Sequence, residues 1–287
     1  METGRLPLSV ATIDAHQHFW HYDPVRDDWI TDNMSALKRD FLPEHLLPEL
    51  RKNQVEGSVV VQVCQSEQET AFLLDLAEHN NFVRGIVGWV DLCSARLPQR
   101  LKRFSQFGKL RGFRHIVQAE KDDRFMLRKD FLAGIAELQA FGFTYDILIY
   151  ARQLPAATEF AAKFPSQKFV LDHLAKPEIK AGEIAAWEHN LRQLAAQPNM
   201  CCKLSGLITE AHWQNWHFAD LKPYLDVVFD CFGIDRLMFG SDWPVCLLAG
   251  SYRQVKEIIS RYTAGLPQSD KDKIFGVNAA RFYGLAA

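Results

Sequence analysis

The stretch Ile13-Asp14-Ala15-His16-Gln17-His18 is the first in the chain whose residue types and spacing could do chemistry. Side chains alternate along a strand, so His16 and His18 share one face and Gln17 takes the other. Two imidazoles side by side at a strand end can grip one metal ion or one oxyanion. Alone the pair is a weak signal, because two ordinary polar residues would look the same. Far along the chain, His173 and Asp242 add a third imidazole and a carboxylate. Asp242 follows the small residues Gly240 and Ser241, which let another backbone or a ligand come close, and Pro244 ends the strand run. A carboxylate there could ligate a metal or take a proton from a water attacking a carbonyl. Capping the following helix is the structural alternative.

These residues need elements to hold them. Short β-rich runs occur at 11–16, 57–63, 84–90, 110–116, 143–149, 168–173, 200–204 and 236–239, the first behind an apolar lead at Leu8 and Val10. Several are almost continuously apolar, as in parallel strands buried on both faces. Helical patterns lie between them: 43–53; 71–79 behind a Ser66/Glu69 capping box; 97–107, capped by Ser94 and closed by Gly108; 128–141; 153–164; 181–197; 218–232; and 251–262. A last helix, 271–283, is predicted to pack across the exterior or the lower rim. Eight β/α alternations in 287 residues, with no linker and no low-complexity segment, predict an α/β fold. The form expected is a single (β/α)8 TIM barrel, one domain over 1–287. An open doubly wound sheet would want a glycine-rich phosphate fingerprint after the first strand, and none is there. The long aromatic stretch 19–42 is predicted to be an irregular lid over the active site.

Catalytic groups in such barrels sit at the C-terminal ends of the strands. Here those ends supply His16 and His18, Gln62, Trp89 and Asp91, Arg114 and His115, Asp146, Asp172 and His173, Lys203 and Ser205, and Ser241 and Asp242. Alternation divides the neighbours. Phe169, Leu171 and His173 would share the inward face, leaving Asp172 to serve a helix or a supporting bond. Arg114 and His115 cannot both face inward on a regular strand; Arg114 is favoured for substrate, with His115 the alternative.

Composition excludes several classes. With 48% hydrophobic residues, 24% charged residues and a net charge of -2, the chain has no basic field for nucleic acid and no polybasic membrane anchor. No run reaches the roughly 18 apolar residues of a membrane helix, and the first ten residues lack the apolar core of a secretory signal. The six cysteines form no Cys-x-x-Cys pair, which suits buried reduced thiols in a cytoplasmic protein.

Four motifs, Ile-Asp-Ala-His-Gln-His-Phe (13–19), Leu-Asp-His-Leu-Ala-Lys-Pro (171–177), Cys-Lys-Leu-Ser-Gly (202–206) and Met-Phe-Gly-Ser-Asp-Trp-Pro (238–244), together resemble the amidohydrolase superfamily. The resemblance covers essentially the whole chain. It is closest to a branch of small lactone hydrolases acting on L-fuconolactone, L-rhamnonolactone or 2-pyrone-4,6-dicarboxylate. It implies a distorted barrel in which His16 and His18 match the first-strand pair, His173 the sixth-strand histidine and Asp242 the eighth-strand aspartate. Members with two metals carry a lysine or glutamate on strand four and a histidine on strand five; here Arg114-His115 and Asp146 stand there, which argues against a binuclear centre. The resemblance leaves two options open. One is a single divalent metal, zinc or manganese, on His16, His18, His173 and Asp242. The other is metal-independent catalysis, with the histidines and an arginine polarising the carbonyl.

The activity expected is hydrolysis of a sugar-acid lactone, with Asp242 as general base. Arg114 or His115, Gln62 and Lys203 would bind the substrate, and Trp29 would cover a sugar face. Alternatives are a pyrone or muconolactone-type dicarboxylate lactone, a non-oxidative decarboxylation, or a non-enzymatic sugar-acid binding protein. The expected partner is a small molecule, and the sequence carries no sign of oligomeric state.

Overall fold

In the computed structural model, which describes residues 11–286, eight parallel strands follow one another in chain order. They are β1 (Ile13–Gln17), β2 (Gly57–Val61), β3 (Val83–Gly88), β4 (Leu110–His115), β5 (Thr144–Ile147), β6 (Phe169–Leu171), β7 (Met200–Leu204) and β8 (Leu237–Phe239). Each is hydrogen-bonded to the next. The seam between the last and the first is closed by Asp242 N–H donating to the His16 carbonyl at 2.8 Å and His18 N–H to the Trp243 carbonyl at 2.7 Å. This is the (β/α)8 barrel that the alternation predicts. The apolar lead at Leu8 and Val10 lies outside the described residues.

One helix follows each strand: α1 (Pro43–Lys52), α2 (Glu67–His79), α3 (Leu97–Phe104), α4 (Lys129–Phe141), α5 (Leu154–Ala162), α6 (Ala185–Ala195), α7 (Phe218–Phe232) and α8 (Tyr252–Tyr262). Local chemistry sets their ends. Ser66 accepts from the Glu69 N–H at 3.1 Å and starts α2. Glu69 does not return the bond; its carboxylate accepts from Val63 and Cys64 N–H and ties the helix to the end of β2. α3 stops at Phe104, without the left-handed glycine predicted at Gly108. α6 starts late because Gly182, at φ +71°, separates it from a one-turn 3-10 helix, Ile179–Ala181.

The barrel interior is packed with Ile13, Ala15, Val59, Val61, Val87, Val170 and Met238. Against them lie Ala279, Phe282, Tyr283 and Leu285 from the chain's end, which runs through α9 (Gln268–Asp272), a π-helical turn (Lys273–Val277) and α10 (Asn278–Tyr283). The last helix therefore plugs the lower end of the barrel, more deeply than a rim position implies. Residues 19–42 are not wholly irregular. Trp20 and Phe41 pair antiparallel through two 2.9 Å bonds, and a 3-10 helix spans Asp32–Leu37. Phe41 packs edge-on against Trp243, 5.3 Å between centroids, which fixes the base of this segment beside the β8 turn. Among the described residues no helix is long and apolar enough to cross a membrane, and the six cysteines are free thiols.

Candidate active site

Alternation with one local correction builds the first half of the site. The β1–β2 register slips by one residue between Asp14 and Gln17. Before the slip, Asp14 faces the helix layer and accepts from Tyr252 of α8 at 3.0 Å. After it, His16 and His18 enter the mouth together, ring centroids 4.9 Å apart, while Gln17 turns away to Ser58. Asp14 also accepts from the Ser241 N–H at 2.8 Å and the Ser241 hydroxyl at 2.6 Å, so it pins the β8 turn to β1.

The second half depends on turns. Val170 faces the barrel interior, so Asp172 shares its face, while Phe169 and Leu171 pack outward. The predicted parity is thus reversed: Asp172 points into the barrel. His173 gains the mouth because the chain leaves the strand at once. His173, Leu174, Ala175 and Lys176 have φ of 52°, 56°, 59° and 49°. A left-handed L-residue costs roughly 1–2 kcal/mol, so this turn survives only because the loop is packed around it. Its neighbour Gly206, at φ +71°, has no room for a side chain: a Cβ there would lie 2.8 Å from His173 Cβ. Asp242 is left-handed too, at φ 56°, and Gly240 lets β8 lie against His16, whose Cβ would be 2.7 Å from an added methyl.

The four groups meet in a small volume. His18 Nε2 is 3.2 Å from His16 Nε2 and 3.2 Å from Asp242 Oδ1. The same carboxylate oxygen is 3.8 Å from His16 Nε2 and 3.9 Å from His173 Nε2. Proton positions follow from the partners. His18 Nδ1 faces the Val61 carbonyl at 2.7 Å, which only accepts, so Nδ1 carries a proton and Nε2 is left to face His16 and Asp242. His16 Nδ1 meets both Asp172 at 3.3 Å and the Lys203 ammonium at 3.1 Å. The Nε2 atoms of His16 and His18, 3.2 Å apart, converge on Asp242 Oδ1, an arrangement that suits a cation between them. Metal–ligand lengths of about 2.0–2.2 Å imply tetrahedral edges of about 3.3–3.6 Å, close to the distances found. His16, His18 and Asp242 fit one divalent ion, with His173 beside them.

Charge states agree. Burial, then the charge of Lys203, holds His16 well below the ordinary imidazole range, so it is neutral and able to ligate. Burial brings His173 down to about 4. Burial pushes Asp242 up, but the pull of His173 and the bonds and charges of His18 and His16 leave it below the usual carboxylate range, ionised at neutral pH.

Beneath the histidines lies a second, fully buried layer. Lys203 pairs with Asp146 at 2.5 Å and Asp172 at 3.0 Å, and Asp172 pairs with Arg114 at 2.9 Å. Tyr283 from the plug donates to Asp146 at 2.8 Å. Two cations and two carboxylates cancel here, and each has a partner, which a buried charge requires. Burial still pushes Asp146 up to about 6 against the attraction of Lys203.

The structure divides the predicted binding residues. Arg114 faces inward, with Nη1 3.4 Å from His16 Nε2 and 2.9 Å from Asp172, Nη2 on the Gln62 carbonyl, and Nε without a hydrogen-bond partner among the described residues. Gln62 donates to the Arg114 carbonyl at 3.0 Å. Lys203 is sealed under His16 with no exposed surface. His115 lies on the opposite face, stacked on Phe125 and bonded to Glu120 at 2.7 Å. Trp29 stands edge-on to Trp20, partly exposed. Asp14, Tyr283 and the Asp172 pairing are absent from the sequence reading; the one available signal was that Asp14 stands two residues before a His-x-His pair.

Eight parallel strands thus bring three histidines and an aspartate together at the mouth of the barrel. The amidohydrolase family profile matches residues 13–285. An L-fucono-1,5-lactonase of Burkholderia multivorans is 42% identical over 97% of both chains. A second L-fucono-1,5-lactonase, from Burkholderia ambifaria, is 37% identical over 95% of both. The crystal structure of an amidohydrolase from Burkholderia multivorans with bound zinc superposes with a TM-score of 0.93 at 41% identity, covering 96% of this chain and 100% of that one. The chain belongs to the amidohydrolase family.

Proposed function

We propose that this chain hydrolyses the ester bond of a sugar-acid lactone of the L-fuconolactone type. One observation carries the reading: a buried carboxylate, Asp242, whose Oδ1 lies 3.2–3.9 Å from three imidazole nitrogens. Asp242 takes a proton from the water that attacks the lactone carbonyl. It then returns that proton to the ring oxygen as the C–O bond breaks. Ser205, 2.9 Å from His173 Nδ1, can donate there and hold the His173 proton on Nε2, facing the developing oxyanion. A divalent ion on His16, His18 and Asp242, zinc as in the Burkholderia relative or manganese, would supply Lewis-acid polarisation of the carbonyl when bound. Arg114, Lys203 and Gln62 support the histidines from below in this reading instead of touching substrate.

The chain acts as one barrel domain, with residues 19–42 as the rim over the site. Its partner is a small molecule, and its free thiols suit the cytoplasm. Turnover of a lactone panel followed with a pH indicator, with and without chelator, tests the proposal. Asp242→Asn should lower kcat by about 10²–10⁴-fold. No turnover of any lactone, even with added zinc or manganese, would remove the reading and bring decarboxylation or simple binding forward.

A further inference from the structure

The loops after β6 and β7 carry a charged pair that the chemistry above does not use. Lys176 ends the left-handed turn that presents His173, and its Nζ lies 5.5 Å over the ring of Tyr150. Glu210 faces it at 3.9 Å, and both side chains are mostly buried, 20% and 24% exposed. At that distance the pair is too long for a hydrogen bond. Among the described residues neither head group has another hydrogen-bond partner. Their backbones are nevertheless fixed, since the Lys180 N–H donates to the Glu210 carbonyl at 3.0 Å and stitches the two loops together.

The pair borders the reacting centre. Lys176 shares its left-handed turn with His173, and Glu210 follows Gly206, which packs against the His173 side chain; burial raises the Glu210 carboxyl against the attraction of Lys176. Outward from Glu210 runs a groove of about 920 Å³ lined by Asn33 of the 19–42 segment, Lys180, His212 and Trp213. Mostly buried ionic groups held 3.9 Å apart suit hydroxyl groups, which can both donate to a carboxylate and accept from an ammonium. A second carboxylate on the substrate would instead meet Glu210.

We propose that Lys176 and Glu210 form the hydroxyl-recognising subsite of this active site, selecting polyhydroxylated lactones over plain or carboxylated ones, with the groove beyond them taking the rest of the sugar. This rests on the lactonase reading. The test compares kcat/KM for L-fucono-1,5-lactone and for δ-valerolactone, which lacks the hydroxyls, in wild type, Glu210→Gln and Lys176→Met, with melting curves confirming the fold. The ratio of the two values should fall by about 10- to 100-fold in each variant, the worth of a hydrogen bond to a charged group. A ratio within threefold of wild type in both variants overturns the subsite. If wild type opens no lactone, the lactonase reading fails separately, and calorimetry with L-fuconate judges the subsite alone. Binding at least tenfold weaker in Glu210→Gln supports it; undetectable or unchanged binding overturns it.

Discussion

The two halves of the active site are made by different means. At the end of β1, His16 and His18 reach the mouth by strand alternation after a single slip of register. At the ends of β6 and β8, His173 and Asp242 reach the same point through left-handed turns, which put His173 in the barrel although strand parity assigns it to the outside. The first kind of placement is cheap and depends on what lies beneath the strand. The second stores backbone strain and depends on what packs against the turn. Changes aimed at each half should therefore fail in different ways.

The largest expected effect is on the strand-built half. Lys203→Met leaves Asp146 and Asp172 short of their shared cation in the barrel interior and should cost about 3–5 kcal/mol of stability, read by urea unfolding. Next comes the turn-built half. Gly206→Ala drives a methyl group into His173 at a φ that suits glycine. It should lower kcat/KM by about 100-fold while zinc binding to His16, His18 and Asp242, measured by calorimetry, changes far less. An equal loss of both would dissolve the distinction between the halves. Tyr283→Phe removes a donor from a buried carboxylate and should cost about 1.5–3 kcal/mol, showing whether the plug supports the layer beneath His16. The smallest effect is a gain. Ala175→Gly relieves a left-handed alanine, and the relief slightly exceeds the extra chain entropy of glycine, so stability should rise by about 0.5 kcal/mol; a fall in melting temperature would mean the turn is not strained.

The same contrast decides what could be read in the sequence. The eight strands were legible because parallel barrel strands are apolar runs flanked by capped helices, and β7 matches its predicted limits. The shared face of His16 and His18 followed from alternation, which also required that only one of Arg114 and His115 face inward without deciding which. The facing of Asp172 and His173 did not, because no local signal marks four successive left-handed residues in Asp172-His173-Leu174-Ala175-Lys176, a stretch without glycine. Lys203 looked like a substrate residue because it ends a strand. Its pairing with Asp146 and Asp172 joins three strands, and sequence spacing does not encode that. Glu210 stayed hidden in a loop for the same reason.

The seam where β8 meets β1 has a consequence for the whole molecule. The residues that close the barrel, His16 to His18 on one side and Asp242 to Trp243 on the other, also carry the proposed reacting centre. Whatever bridges His18 and Asp242 therefore acts as a clasp between chain segments more than 200 residues apart. A ligand gripped there fastens the ring of strands shut, and its binding energy is added to that of the closed barrel.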